Sequence, residues 1–239
     1  MNGKEKLIVA IDTDNYEKAV KLMDELEESV DIYKVGLENF LASRGKTVDY
    51  LKSKGKKIFL DLKFHDIPNT MKSAVRQAVR DGVWMITIHA SDMEGMKQCA
   101  EVAREEAERL NIEKPLIIAV TVLTSLSDED LSDIGCNLST TEAAIKRAKL
   151  AKDAGVDGVV CSAKEVSKIV EACGEDFMTV CPGIRPKGSE VADQKRVVTP
   201  EMAIRNGAKT IVVGRPITKA MNPKKAADEI VKEIESVFA

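Results

Sequence analysis

The chain has 239 residues, 44% apolar and 31% charged, with a formal net charge of −3. That apolar content excludes an intrinsically disordered chain, and the near-neutral charge leaves no basic footprint for nucleic acid or an anionic membrane surface. No run approaches the ~18 consecutive apolar residues that a membrane helix requires.

In chain order, apolar runs predict strands at Leu7–Asp12 and Ile32–Leu37, within 55–61 and 82–89, at Leu116–Val122, within 155–162, at Phe177–Pro182 and within 207–214. Four of them share one grammar: a helical stretch stops at Gly55, Gly82, Gly155 or Gly207, and a β-branched run follows that ends in a polar residue. Glycine suits the left-handed position just past a helix, and continuous apolar runs suit strands covered on both faces. Between the strands lie helical stripes such as Met71, Ala74, Val75, Ala78, Val79 and Ala227, Ile230, Val231, Ile234, Phe238. Asn222-Pro223 reads as a cap and first-turn proline for the last helix. Eight β-then-α units of about 30 residues each predict a (β/α)8 TIM barrel, one domain over 1–239. The competing doubly wound sheet lacks its Gly-x-Gly-x-x-Gly after the first strand.

The five cysteines (99, 136, 161, 173, 181) are odd in number and scattered, with no Cys-x-x-Cys pair. They read as buried thiols of a reducing cytoplasm. His65 and His89 are too few and too separated for a zinc site by themselves. Residues 1–6 carry charges of both signs, and the apolar run after them stops at Asp12, unlike an export signal; a cytoplasmic protein is expected.

Barrel chemistry sits at the C-terminal ends of the strands. Those ends read Asp12, Lys34, Asp61 with Lys63, His89, Thr121 to Ser125, Ser162, Pro182-Gly183 and Gly214-Arg215. Strand alternation aims Asp61 and Lys63 into the barrel mouth and Leu62 toward the helices. Lys34, on the neighbouring strand, flanks Asp61. Opposite charges ~4 Å apart at an effective dielectric of 20 attract by about 4 kcal/mol, enough to keep all of them ionised despite partial burial. A salt-bridge network that merely closes the rim is the alternative. His65 reads as a loop or interface residue and His89 as a hydrogen-bonded core histidine.

The last strands carry a second signal. Gly214-Arg215-Pro216 ends strand eight and opens a short helix, where free N–H groups and the Arg215 fork would attract an anion. After strand seven, Cys-Pro-Gly-Ile-Arg185 leads into a polar stretch up to Thr199 that reads as a lid. A phosphorylated small substrate is the economical reading, against a merely solvated basic loop.

The string Asp61-x-Lys63-x-x-Asp66-Ile67-Pro-x-Thr70 closely resembles the signature of the orotidine 5′-phosphate decarboxylase family. The resemblance runs through all eight strands, with Val-Ala-Ile-Asp12, Lys34-Val-Gly, Thr-Val-Leu-Thr124-Ser, Pro-Gly-Ile-Arg185, the Gln194 region and Val-Gly-Arg215. Magnesium-dependent keto-gulonate-phosphate decarboxylases and hexulose-phosphate synthases share an Asp-x-Lys-x-x-Asp pattern without the Ile-Pro-x-Thr continuation.

The resemblance implies cofactor-free conversion of orotidine 5′-phosphate to UMP, the last step of de novo pyrimidine nucleotide synthesis. It makes Lys63 the proton donor to C6, with Asp61 beside the departing carboxylate. Lys34 would orient Asp61 and contact ribose, and Asp12 would bind ribose hydroxyls. Asp66 and Thr70 would reach the neighbouring subunit's site in a homodimer, Asp66 helping to keep Lys63 protonated, and Ile67 would be among the substrate-binding residues. Thr124 would meet the pyrimidine edge; Arg185, Gln194, Gly214 and Arg215 would hold the phosphate and close the lid. No metal is implied.

Two further readings stay open. A Schiff-base aldolase would use Lys63 or Lys34 as nucleophile, although flanking aspartates hold an amine protonated. A non-catalytic nucleotide-binding barrel would bind UMP without turnover.

Overall fold

In a computed structural model that describes residues 3–186 and 198–238, eight parallel strands close on themselves in chain order. They are β1 (Leu7–Ile11), β2 (Ile32–Gly36), β3 (Lys57–Phe64), β4 (Met85–His89), β5 (Leu116–Val120), β6 (Gly158–Val160), β7 (Met178–Cys181) and β8 (Thr210–Val213). Helix α1 (Tyr16–Leu26) follows β1, and the pair α2 (Leu37–Ser43) and α3 (Lys46–Ser53) follows β2. Next come α4 (Pro68–Arg80) after β3, α5 (Met93–Leu110) after β4, and α6 (Asp128–Asp133) with α7 (Thr140–Asp153) after β5. The circuit ends with α8 (Val166–Cys173), α9 (Pro200–Arg205), α10 (Arg215–Thr218) and α11 (Pro223–Glu235). This is the expected (β/α)8 barrel. No helix among the described residues is long and apolar enough to cross a membrane.

The cassette grammar has its physical counterpart in the backbone. Gly55, Gly82, Gly155 and Gly207 all take positive φ, from 66° to 99°, where a side chain would clash. Each strand is buried on both faces. Ile8, Ala10, Phe59, Met85, Ile118 and Val212 fill the barrel interior, while Leu7, Val9, Ile58 and Leu60 face the helices. Cys99, Cys161, Cys173 and Cys181 are thiols, not disulfides, buried in the outer layer, and Cys136 is a half-buried thiol. On α4, Met71, Val75, Ala78 and Val79 are buried, and the predicted cap of α11 is present, Asn222 accepting from the Lys225 N–H at 2.9 Å. Glu106 of α5 is 4% exposed and binds Arg80 of α4 and Arg109, each at 2.6 Å, which locks α4 against α5.

One expectation needs correction. Phe238 does not continue the buried stripe of α11: the helix ends at Glu235, and the ring lies under the Lys6 ammonium, 5.4 Å from its centroid. The alternation expected of β3 holds, with Phe59, Asp61 and Lys63 lining the cavity and Leu60, Leu62 and Phe64 on the outer core, but its pairing with β4 is irregular. Leu60 pairs with Ile86 and Phe64 with Ile88, so four steps along β3 match two along β4. Lys63 takes φ of 50°, a left-handed conformation that costs an L-residue roughly 1–2 kcal/mol. The irregularity shifts Lys63 relative to β4 without turning it to the other face.

Candidate active site

The C-terminal ends of β1, β2 and β3 assemble a chain of alternating charges. Lys34 Nζ lies 3.2 Å from Asp12 Oδ1 and 3.4 Å from Asp61 Oδ2, and Lys63 Nζ lies 2.8 Å from Asp61 Oδ1. Register places them side by side, because Lys34 pairs with Ala10 on one flank and Gly36 pairs with Asp61 on the other. A Cβ at Gly36 would come within 2.9 Å of Lys34 Nζ, so a side chain there would displace the tip of that lysine from between its carboxylates.

Asp61 is 7% exposed. Burial alone would push its carboxyl up, but Lys34 and Lys63, with hydrogen bonds from Lys63 and Thr87, outweigh it and hold it below the usual carboxylate range. Burial likewise opposes the Lys34 charge, yet Asp61 and Asp12 raise that ammonium above its ordinary value. Asp61 is therefore a carboxylate and Lys34 an ammonium at neutral pH. The lysines are not equivalent: 11% of the Lys34 side chain is exposed, against 30% for Lys63. Lys34 is enclosed by carboxylates, and Lys63 is the cation that a bound molecule can reach.

Beside the array lies a cavity of about 280 Å³, near the small end for ligand sites. Lys34, Asp61, Lys63, Thr124 and Ser125 supply its polar wall, and Val120, Val160, Val180 and Val212 its apolar one. An acidic or basic centre against a dry wall is where electrostatic effects are largest. A second cavity of about 300 Å³ opens at the opposite end of the barrel beside Trp84 and Pro115, remote from the charged array.

The remaining candidates fall into separate places. Asp66 does not flank Lys63 within its own chain; it is exposed, and its Oδ1 accepts from the Ile67 N–H at 2.7 Å. Ile67 is 67% exposed, and Thr70 is exposed on the first turn of α4, which Pro68 starts. Arg185 is buried and donates from Nη1 to the Ile184 carbonyl at 2.8 Å, and it does not line the cavity. Gly214 precedes α10 and borders Asp12, with the exposed Arg215 next to it, so both share the rim with the array. Ile184 and Val198 form an isolated parallel bridge, while Gln194 lies outside the described residues. His89 makes no side-chain hydrogen bond among the described residues; its ring packs on His65 at 5.1 Å between centroids. Burial, then His65, Lys63 and Arg147, push its pKa down.

Sequence reasoning missed Thr87 and Arg147. Thr87, fully buried on β4, accepts from the Lys63 N–H at 2.9 Å and donates to Asp61 Oδ1 at 3.0 Å. Its signal was a lone hydroxyl inside Met85-Ile86-Thr87-Ile88. Arg147, in the middle of α7, donates to the Thr121 carbonyl and carries no local sequence signal.

Residues 5–230 match the family model described as orotidine 5′-phosphate decarboxylase / HUMPS family. A Moorella thermoacetica protein named orotidine 5′-phosphate decarboxylase is 48% identical over 239 residues, covering 99% of this chain and 95% of that one. A Nostoc protein of the same name is 46% identical over 237 residues, covering 98% and 99%. The crystal structure of orotidine 5′-phosphate decarboxylase from Lactobacillus acidophilus is similar with a TM-score of 0.85 and 39% identity, over 96% of this chain and 99% of that one.

Proposed function

The chain belongs to the orotidine 5′-phosphate decarboxylase / HUMPS family, and from that premise we propose that it converts orotidine 5′-phosphate to UMP and CO2 without a metal or organic cofactor, the last step of de novo pyrimidine nucleotide synthesis. The observation that carries this reading is the Lys63 ammonium, held 2.8 Å from Asp61 at the edge of a cavity whose other wall is apolar.

Breaking the C6–carboxylate bond leaves an electron pair in the plane of the pyrimidine ring, where π delocalisation cannot reach it. Organic cofactors usually supply an electron sink for such chemistry. Here the Lys63 ammonium stabilises the pair as it develops and then transfers one Nζ proton to C6. CO2 departs, the neutral amine regains a proton from solvent, and the atoms balance. Asp61 keeps Lys63 charged until that transfer and borders the departing carboxylate. Lys34 holds Asp61 and contacts ribose, Asp12 binds ribose hydroxyls, and Thr124 meets the base edge. Arg185, Gln194, Gly214 and Arg215 take the phosphate.

The exposed Asp66, Ile67 and Thr70 support a homodimer in which that segment completes the partner's site. A magnesium-dependent sugar-phosphate enzyme of the same family is the second reading. Against it, the Lys34 ammonium already sits between Asp12 and Asp61, where a cation would otherwise neutralise them. Chelator-treated protein should consume orotidine 5′-phosphate, followed by its absorbance. No turnover under EDTA, with magnesium-restored activity on a keto-sugar phosphate, would transfer the chain to the second reading.

A phosphate role for Arg215 has its own signature. Charge-assisted hydrogen bonds contribute about 1.5–3 kcal/mol, so Arg215→Ala should raise KM by roughly 10–100-fold. Free phosphite should partly restore turnover of the truncated nucleoside by wild-type protein. Equal losses in Arg215→Ala on whole and truncated substrate would remove Arg215 from the phosphate site.

A further inference from the structure

We propose that Thr87 is a positioning residue of the decarboxylation: its hydroxyl clamps the Lys63 backbone to the Asp61 carboxylate and so fixes where the Lys63 ammonium sits. The inference rests on the reading above and deepens it. The clamp lies where β3 departs from regular pairing. Between the Leu60–Ile86 and Phe64–Ile88 pairs, β3 has three residues and β4 has only Thr87. The two surplus residues leave the Lys63 N–H out of the ordinary ladder, and the Thr87 oxygen takes it at 2.9 Å.

The chemistry of the hydroxyl makes this contact directional. A backbone N–H can only donate, so it occupies a lone pair of Thr87 Oγ1. The single hydroxyl proton is then left for an acceptor, and the ionised Asp61 Oδ1 receives it at 3.0 Å. The same Oδ1 binds Lys63 Nζ at 2.8 Å, which closes a ring from the Lys63 backbone through Thr87 and Asp61 back to the Lys63 side chain. A residue in a left-handed conformation is thereby tied at both ends, and strained backbone persists only where its surroundings over-determine it. Asp61 meets Lys34 from β2, Lys63 from β3 and Thr87 from β4, so Thr87 is the neutral member of its shell.

The test compares Thr87→Val, which keeps the shape and removes the hydroxyl, with Thr87→Ser, which keeps the hydroxyl. Thr87→Val should lower kcat on orotidine 5′-phosphate by roughly 10–100-fold, the scale of small misplacements in an active site, with KM within about 3-fold. Thr87→Ser should stay within about 3-fold of wild type in both. Losing a donor makes the Asp61 carboxylate easier to protonate, so the acid limb of the kcat profile should move to higher pH in Thr87→Val only. A ¹³C carboxyl titration of Asp61, assigned with Asp61→Asn, should show the same upward move without any turnover. Thr87→Cys, a weaker donor of similar shape, should lie between the two and serves if Thr87→Val does not fold. An unchanged Asp61 titration and kcat in Thr87→Val or Thr87→Cys would overturn the clamp, as would equal damage by Thr87→Ser. If wild-type protein left orotidine 5′-phosphate untouched, the decarboxylase reading would fail and the titration would still decide the clamp.

Discussion

Lys63→Met is expected to lower kcat on orotidine 5′-phosphate by roughly 10⁴-fold or more, while UMP affinity changes by less than about 10-fold. Methionine preserves the unbranched stem and removes only the ammonium. Two effects leave together. A positioned general acid is worth about 10²–10⁴-fold, and a preorganised charge at the developing carbanion about 10²–10³-fold. One group supplies both, so the loss approaches their product, about 10⁴–10⁷-fold. The fold should survive, because Asp61 keeps Lys34 at 3.4 Å and the Thr87 hydroxyl at 3.0 Å. Single-turnover kinetics and calorimetric UMP titration would measure the split. A loss below about 100-fold would assign the proton to another donor, with Lys34 or an ordered water as the next candidates.

Mixing two inactive variants should restore activity. In the proposed homodimer each site combines Lys63 of one chain with Asp66 of the other. Homodimers of Lys63→Ala or of Asp66→Asn contain no native site. A heterodimer contains one native site and one doubly damaged site. Random exchange at equal amounts makes half the dimers mixed, so activity should reach about a quarter of wild type by two-fold symmetry. The structural basis is the placement of Asp66: exposed, accepting from the Ile67 N–H, and not paired with the Lys63 ammonium of its own chain. The neighbouring Ile67, 67% exposed, belongs to a surface that subunit contact would cover. Differentially tagged chains, co-purified and assayed, make the measurement. A purified heterodimer with no more activity than its parents would refute the shared site.

The barrel and the identity of its charged rim can be read from the residues alone. Strand positions were legible because strands covered on both faces leave uninterrupted apolar runs, and helix ends because Gly55, Gly82, Gly155 and Gly207 occupy backbone positions that exclude side chains. Asp12, Lys34, Asp61 and Lys63 stood out since charges at the ends of apolar strands are costly unless paired, and in the structure they pair. How they pair is fixed by the closing of the sheet. Asp12, not Asp66, is the second carboxylate of the intrachain array, because β1 lies beside β2 in the closed sheet while Asp66 is carried outward ahead of α4. The position of Lys63 depended on extra residues in β3 and a hydroxyl contributed by β4, a relation between strands 24 residues apart that no local pattern contains. Local propensity writes the elements; register between neighbouring strands, which depends on the whole circuit closing, sets the distances on which chemistry depends.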